Sequence, residues 1–82
     1  MNKWFKDGDE ESEHREMIAD PSTWPGDELA LKRPQAIMEG DGWERSFARV
    51  HADAPLTVVT MSGNWVTYAS AQELLDDGWV VD

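Results

Sequence analysis

Two histidines, His14 and His51, are the side chains of this sequence that titrate nearest neutral pH. His51 lies two residues before Asp53, and a carboxylate can orient an imidazole that acts as a general base. Neither histidine belongs to a recognisable nucleophile or triad motif, and the chain contains no cysteine. We therefore interpret His51 and Asp53 as polar loop residues and predict that the protein is not an enzyme.

Carboxylates near the N-terminus begin a pattern similar to a calcium-binding loop. Asp7, Asp9 and Glu11 have the alternating spacing of its first ligands. Ser12 stands where the loop requires glycine, and Ile18 stands where it requires a bidentate glutamate. The sequence also lacks the glycine patterns that bind nucleotide phosphates. We expect no metal site and no cofactor.

The net charge is strongly negative. Seventeen acidic residues against seven basic ones give −10 at pH 7, which disfavours direct binding to nucleic acid or to anionic membranes. Such a surface suits a partner with a basic surface, although it also simply keeps a small protein soluble. Without cysteine, an apolar leader or a long apolar run, the chain is expected to be cytoplasmic.

The 82 residues are enough for one small domain. Residues 1–19 form an acidic arm, predicted to be either disordered or a short helix from about Asp9 to Ala19, whose early acids would suit a helix N-terminus. Residues 20–82 are predicted to form a single α+β domain, with a mainly antiparallel sheet of three to five short strands.

Several short segments are predicted to supply that sheet. Leu29–Lys32 is expected to be an edge strand, and extended chain is expected from Ala36 and again over Trp43–Val50. Residues 55–61 and 65–68 are expected to pair as a hairpin, because Gly63 and Asn64 between them tolerate the positive φ of a tight turn.

The C-terminal stretch predicts a short helix and a closing strand. Ser70 and Glu73 have the spacing of a capping box, so we predict a helix over Ala71–Asp77. Gly78 is placed to end that helix in the left-handed conformation, and Trp79–Val81 then forms the last strand.

The tryptophans divide into two groups. Trp43, Trp65 and Trp79 are expected in the core, because a chain this small has few other large side chains. Trp24 lies among charges of both signs, a composition typical of an interface hot spot. With the acidic arm, this gives the predicted partner-binding residues Trp24, Asp27, Glu28, Lys32, Arg33, Asp9, Glu10 and Glu13.

Several motifs together resemble small uncharacterised proteins of actinobacteriophages, especially mycobacteriophages. They are D-P-x-x-W-P at Asp20–Pro25, L-x-L-K-R at Leu29–Arg33, T-V-V at Thr57–Val59, and Y-x-S-x-x-E-L-L-x-D-G-W-V-V-D at Tyr68–Asp82. The resemblance implies an origin rather than a chemistry. It suggests a non-enzymatic accessory protein that binds a host or phage protein in the host cytoplasm.

Two further hypotheses concern how such binding would occur. Five carboxylates between Asp9 and Glu16, on a helix rising about 1.5 Å per residue, approach the charge spacing of duplex DNA, which suggests DNA mimicry. The alternative is a self-associating structural or regulatory module of the phage, a homodimer formed through an exposed edge such as Leu29–Lys32.

Overall fold

A computed structural model describes residues 8–82. The helices are α1 (Gly8–Ala19), α2 (Pro34–Glu39), α3 (Trp43–Ser46) and α4 (Ala71–Asp76), and a 3₁₀ helix covers Pro21–Thr23. The strands are β1 (Glu28–Lys32), β2 (Phe47–His51), β3 (Ala54–Thr60), β4 (Trp65–Thr67) and β5 (Val80–Val81). The predicted α+β class, with a C-terminal helix and a final short strand, is confirmed.

The five strands form one antiparallel sheet in the order β4-β3-β2-β1-β5. Alternation within β1 and β2 turns Leu29, Leu31, Ala48 and Val50 towards one face, where all four are buried. The helices α1 and α4 cover that face, and the opposite face is exposed at Ala30, Arg49 and Trp65. The fold is therefore a two-layer structure with one open sheet face.

The first helix is an integral part of the core. Ile18 on α1 is completely buried among the sheet residues and α4, and Met17 packs beside it. Polar contacts also join the two helices, since Gln72 donates to Glu11 Oε1 at 3.1 Å and accepts from Arg15 Nη1 at 2.7 Å. Of the two predictions for the acidic arm, the structure has the helix, over Gly8–Ala19; residues 1–7 of the arm lie outside the described part of the chain.

The expected position of Leu29–Lys32 at a sheet edge is wrong. The segment is a strand, but β2 pairs with it on one side and β5 on the other. The reason lies in the C-terminus, because α4 carries the chain from one edge of the sheet to the other, where β5 adds beside β1. Self-association through this strand, the route proposed from the sequence, is therefore blocked.

The stretch between β1 and β2 is also corrected, since Ala36 and Trp43 lie in helices rather than strands. Pro34 occupies the first turn of α2, where its missing N–H costs nothing. Gly40 ends that helix at φ 72°, and the N–H of Asp41 donates to Ala36 O at 3.0 Å. Only from Phe47 onward is the predicted strand observed.

The C-terminal segment follows its predicted local pattern. The Ser70 hydroxyl accepts a hydrogen bond from the Glu73 N–H at 3.1 Å, and Glu73 Oε2 accepts one from the Ala69 N–H at 3.1 Å. Gly78 has φ 101°, which allows the chain to turn from α4 into Trp79 and β5.

Of the three tryptophans expected in the core, only Trp79 is buried. Trp43 is 61% exposed on α3, and Trp65 is 71% exposed on the open face of the edge strand β4. The register explains Trp65, because it lies opposite Val59, which in turn lies opposite the outward-facing Arg49.

Candidate functional site

A groove of about 500 Å³ lies at the β5 edge of the sheet, between α1 and α2. Its lining combines apolar side chains with a few charged or titratable ones. The residues that line it are Glu10, His14, Lys32, Pro34, Ile37, Met38, Val80 and Val81. This mixture is typical of a site that anchors an apolar group and orients it through a few polar contacts.

Helix α2 supplies the most exposed apolar residues of the groove. Ile37 is 45% exposed and Met38 is 74% exposed, although both are large hydrophobic side chains. The helix itself is held by Ala36, which is buried, and by the Pro34 and Gly40 ends described above. The fold therefore fixes α2 in place while leaving two of its apolar side chains in solvent.

Helix α1 closes the other side and protects the backbone of β5. The Val81 N–H donates to His14 Nδ1 at 3.1 Å, so the edge of β5 is capped by a side chain. Burial lowers the pKa of His14, with a smaller opposing effect from the charges of Glu10 and Glu13. A neutral imidazole suits this position, because only a deprotonated Nδ1 accepts that hydrogen bond.

The charge around the groove is mainly negative. Glu10 lines the groove, and Asp9 and Glu13 lie exposed on the same helix. Among the described residues that line the groove, Lys32 is the cation, and its Nζ lies 3.6 Å from Asp82 Oδ1. Because Asp82 offsets that positive charge, Glu10 makes the described lining of the groove negative, and Asp9 and Glu13 add further negative charge along the same helix.

The predicted partner-binding residues do not form one surface. Glu28 begins β1 and Lys32 ends it, which separates them by roughly 13 Å at about 3.3 Å per residue. Asp27 and Glu28 are exposed at the first end, where Glu28 Oε2 lies 3.8 Å from Arg49 Nε. The groove brings together only two of the predicted residues, Glu10 and Lys32.

Trp24 is a core residue, which corrects its interpretation as an exposed contact. It is 7% exposed, and its Nε1 donates to the Met17 carbonyl at 2.6 Å. That bond satisfies the indole N–H where the chain turns from α1 into the 3₁₀ helix. Trp24 thus attaches the end of α1 to the sheet.

Arg33 also has a structural role. Its guanidinium lies 4.2 Å from the centre of the Trp79 ring and donates to Asp77 Oδ2 at 3.0 Å. The Tyr68 hydroxyl donates to the same Asp77 oxygen at 2.5 Å. Burial, together with this bond and the Asp77 charge, raises the pKa of Tyr68 to about 12. These contacts join β4, α4 and the end of β1.

The helix does not display all five carboxylates that suggested DNA mimicry. Glu11 is 6% exposed and faces α4, where Gln72 donates to it. Asp9, Glu13 and Glu16 are exposed at the i, i+4, i+7 spacing of one helical face, whereas Glu10 is partly buried and Glu11 lies away from that face, so three of the five acids follow one line. One face of the helix therefore carries three carboxylates over these eight residues, a wider charge spacing than the five calculated from the sequence.

The His51 and Asp53 pair lies in the turn between β2 and β3. His51 Nδ1 is 3.6 Å from Asp53 Oδ2 and accepts the Asp53 N–H at 3.2 Å. Both side chains are exposed, Asp53 almost completely. Within residues 8–82, no three histidine or acidic side chains converge as metal ligands would. The same part of the chain contains no helix with the length and apolar character needed to cross a bilayer.

Sequence reasoning missed the apolar half of the groove because it assigned residues 36–39 to a strand. Pro34 and Gly40, at the two ends of that segment, are the signal that identifies α2, since helices favour proline at the first position and glycine just after the last.

Comparisons with protein-family models, with curated proteins and with solved structures found no match.

Proposed function

We propose that this chain is a non-enzymatic binding protein whose groove between α1 and α2 receives an apolar side chain from a basic segment of another protein. The observation that carries the proposal is the exposure of Ile37 and Met38 beside a groove of about 500 Å³. Exposed apolar side chains that line a concave surface are typical of interaction sites.

The chemistry of the groove favours an apolar anchor. Val80 and Val81 lie on the β5 side, and Ile37 and Met38 on the α2 side. Methionine adapts to differently shaped ligands because its side chain is unbranched and polarizable. A leucine, methionine or aromatic side chain inserted between α2 and β5 would remove these surfaces from water.

The charge of the chain favours basic residues on either side of that anchor. Asp9, Glu10 and Glu13 lie on α1, and the whole chain carries −10 at pH 7. A positively charged segment would therefore approach faster, and its cations would lie against the acidic side of α1. This agrees with a phage accessory protein acting on a host or phage protein in the host cytoplasm, the origin suggested by the sequence resemblance.

Selection from a displayed peptide library, with the full chain as bait, tests the proposal. We expect enriched peptides to contain one apolar anchor flanked by Lys or Arg, with binding that weakens as salt increases. Met38→Asp should reduce affinity at least roughly tenfold, as loss of a central contact does. Trp43→Asp is the matched control, because Trp43 is similarly exposed but does not line the groove. Equal losses in the two variants, or binding of acidic peptides, would contradict the proposal.

A further inference from the structure

The two edges of the sheet differ in whether other parts of the chain cover them. At the β5 edge, the outward N–H of Val81 donates to His14 and α1 packs alongside. At the other edge, within residues 8–82, β4 pairs only with β3. Among the described residues, the outward backbone groups of Trp65 and Thr67 have no hydrogen-bond partner.

The hydrogen-bond alternation of β4 shows which groups point outward. The Thr60 N–H donates to Asn64 O and the Tyr68 N–H donates to Leu56 O, at 2.8 and 2.9 Å. In an antiparallel pair, bonded and non-bonded positions alternate, so the N–H and C=O groups of Trp65 and Thr67 face away from β3. They form a short, regular row of donors and acceptors.

Apart from the short length of β4, this edge lacks the devices that usually prevent strand pairing. Between Ala54 and Gln72 the sequence has no charged residue, although the chain as a whole carries −10. No lysine, proline or bulge interrupts β4, and its side chains Trp65 and Val66 are 71% and 45% exposed. Two copies would repel each other at most surfaces, but the β3–β4 hairpin places no charge at the contact.

We propose that β4 pairs with β4 of a second copy of this chain, antiparallel and centred on Val66. In that register each Trp65 lies opposite Thr67 of the other copy, so the outward donors of each chain meet the outward acceptors of the other. The two Val66 side chains meet at the two-fold axis, and the arrangement is self-complementary, as a two-fold interface requires. The two grooves remain open, since each lies at the far edge of the extended sheet.

A strand of three residues makes a small interface. Stable protein interfaces bury roughly 1,200–2,000 Å² in total, and one short edge pair buries less. We therefore expect a reversible dimer whose population increases with protein concentration. Added salt should strengthen it by screening the repulsion between two acidic chains, whereas it should weaken a basic peptide in the groove. The inference is thus independent of the proposed function.

Sedimentation of the full chain over a concentration series tests this inference. We expect the average mass to rise towards that of a dimer, and to rise at lower protein concentration when salt is added. Trp65→Lys should weaken association, because the indole contact with Thr67 of the other copy is lost and a lysine on an edge strand disfavours pairing. Trp43→Lys makes the same change at a similarly exposed tryptophan outside the edge and should leave association unchanged. A strict monomer under all conditions, or equal behaviour of the two variants, would overturn the proposal.

A cysteine at the two-fold axis tests the register itself. The chain has no cysteine, so Val66→Cys introduces a single thiol. Opposed residues at a non-hydrogen-bonded antiparallel position bring their Cβ atoms to about 4.5–5.5 Å, close to the separation in a disulfide. We expect Val66→Cys to form a disulfide dimer faster than Ser62→Cys, whose exposed thiol lies beyond the paired strand. Equal rates in the two variants would refute pairing centred on Val66.

Discussion

Replacing Ile18 by alanine tests whether α1 belongs to the folded core. Ile18 is 0% exposed and contacts the buried cluster that includes residues of the sheet and α4. Removing a buried isoleucine side chain usually costs about 2–5 kcal/mol, because the lost burial is accompanied by a cavity. A chain of 82 residues has a free energy of unfolding of about 4–12 kcal/mol. The substitution should therefore remove a large part of the stability.

The chain provides a matched control, since Ile37 is its other isoleucine and is 45% exposed on α2. Both residues lie in helices, so the gain in helix propensity on changing to alanine is similar. Ile37→Ala should cost about 1 kcal/mol or less, since only about half of its surface is removed from water in the folded state.

Urea denaturation followed by far-ultraviolet circular dichroism measures both variants, with thermal unfolding as a second readout. A loss of about 3 kcal/mol at Ile18 corresponds to a fall in Tm of about 12–24 °C for a domain of this size. If Ile18→Ala costs no more than Ile37→Ala, α1 is not packed as described, and the acidic segment behaves as an independent arm.

Three further predictions follow from single contacts. Ser70→Ala should reduce the free energy of unfolding by about 1 kcal/mol in urea denaturation, because α4 loses its N-cap; an unchanged midpoint would contradict the cap. The pKa of His14 is lowered in the folded chain. The stabilisation contributed by the neutral imidazole is therefore complete above about pH 6.5 and decreases as the pH falls towards the lowered pKa. His14→Asn, which keeps an acceptor for the Val81 N–H, should flatten that part of the stability profile relative to the unchanged chain, and parallel profiles would be inconsistent with this role. Tyr68 is the only tyrosine, and burial together with Asp77 should place the midpoint of its ultraviolet titration near 12. That midpoint should fall in Asp77→Asn, and a midpoint unchanged by the substitution would refute the bond to Asp77.

Local signals in the sequence identified the parts of the fold that depend on neighbouring residues. The capping residues Ser70 and Glu73 and the glycine at position 78 define α4 without any distant contact. The turn at Gly63, with φ 91°, lies between two β-rich segments and defines the hairpin. These features were predictable because each depends on backbone geometry within a few residues.

Features that depend on strand order were not predictable in this way. Alternation shows that Trp65 and Val66 point to opposite faces, but not which face is covered by helices. β1 became an interior strand only because the chain returns through α4 to place β5 beside it. The exposure of Trp65 and the internal position of β1 both follow from long-range topology.

The candidate site was predictable only in its acidic part. Glu10 and Lys32 were identified by charge, whereas Ile37 and Met38 were read as part of a strand. Trp24 has charged neighbours of both signs in the sequence, yet its ring lies in the core and its Nε1 donates to the Met17 carbonyl. Composition thus indicated the charge of the groove but not its apolar lining.

The most direct test of the groove is to add a selected basic peptide to isotopically labelled protein and follow the backbone amide NMR shifts. We expect saturable shifts concentrated in α2, β5 and the first turns of α1, and loss of these shifts in Met38→Asp. Shifts concentrated at β4 and the open sheet face, or shifts that remain in Met38→Asp, would contradict binding in the groove.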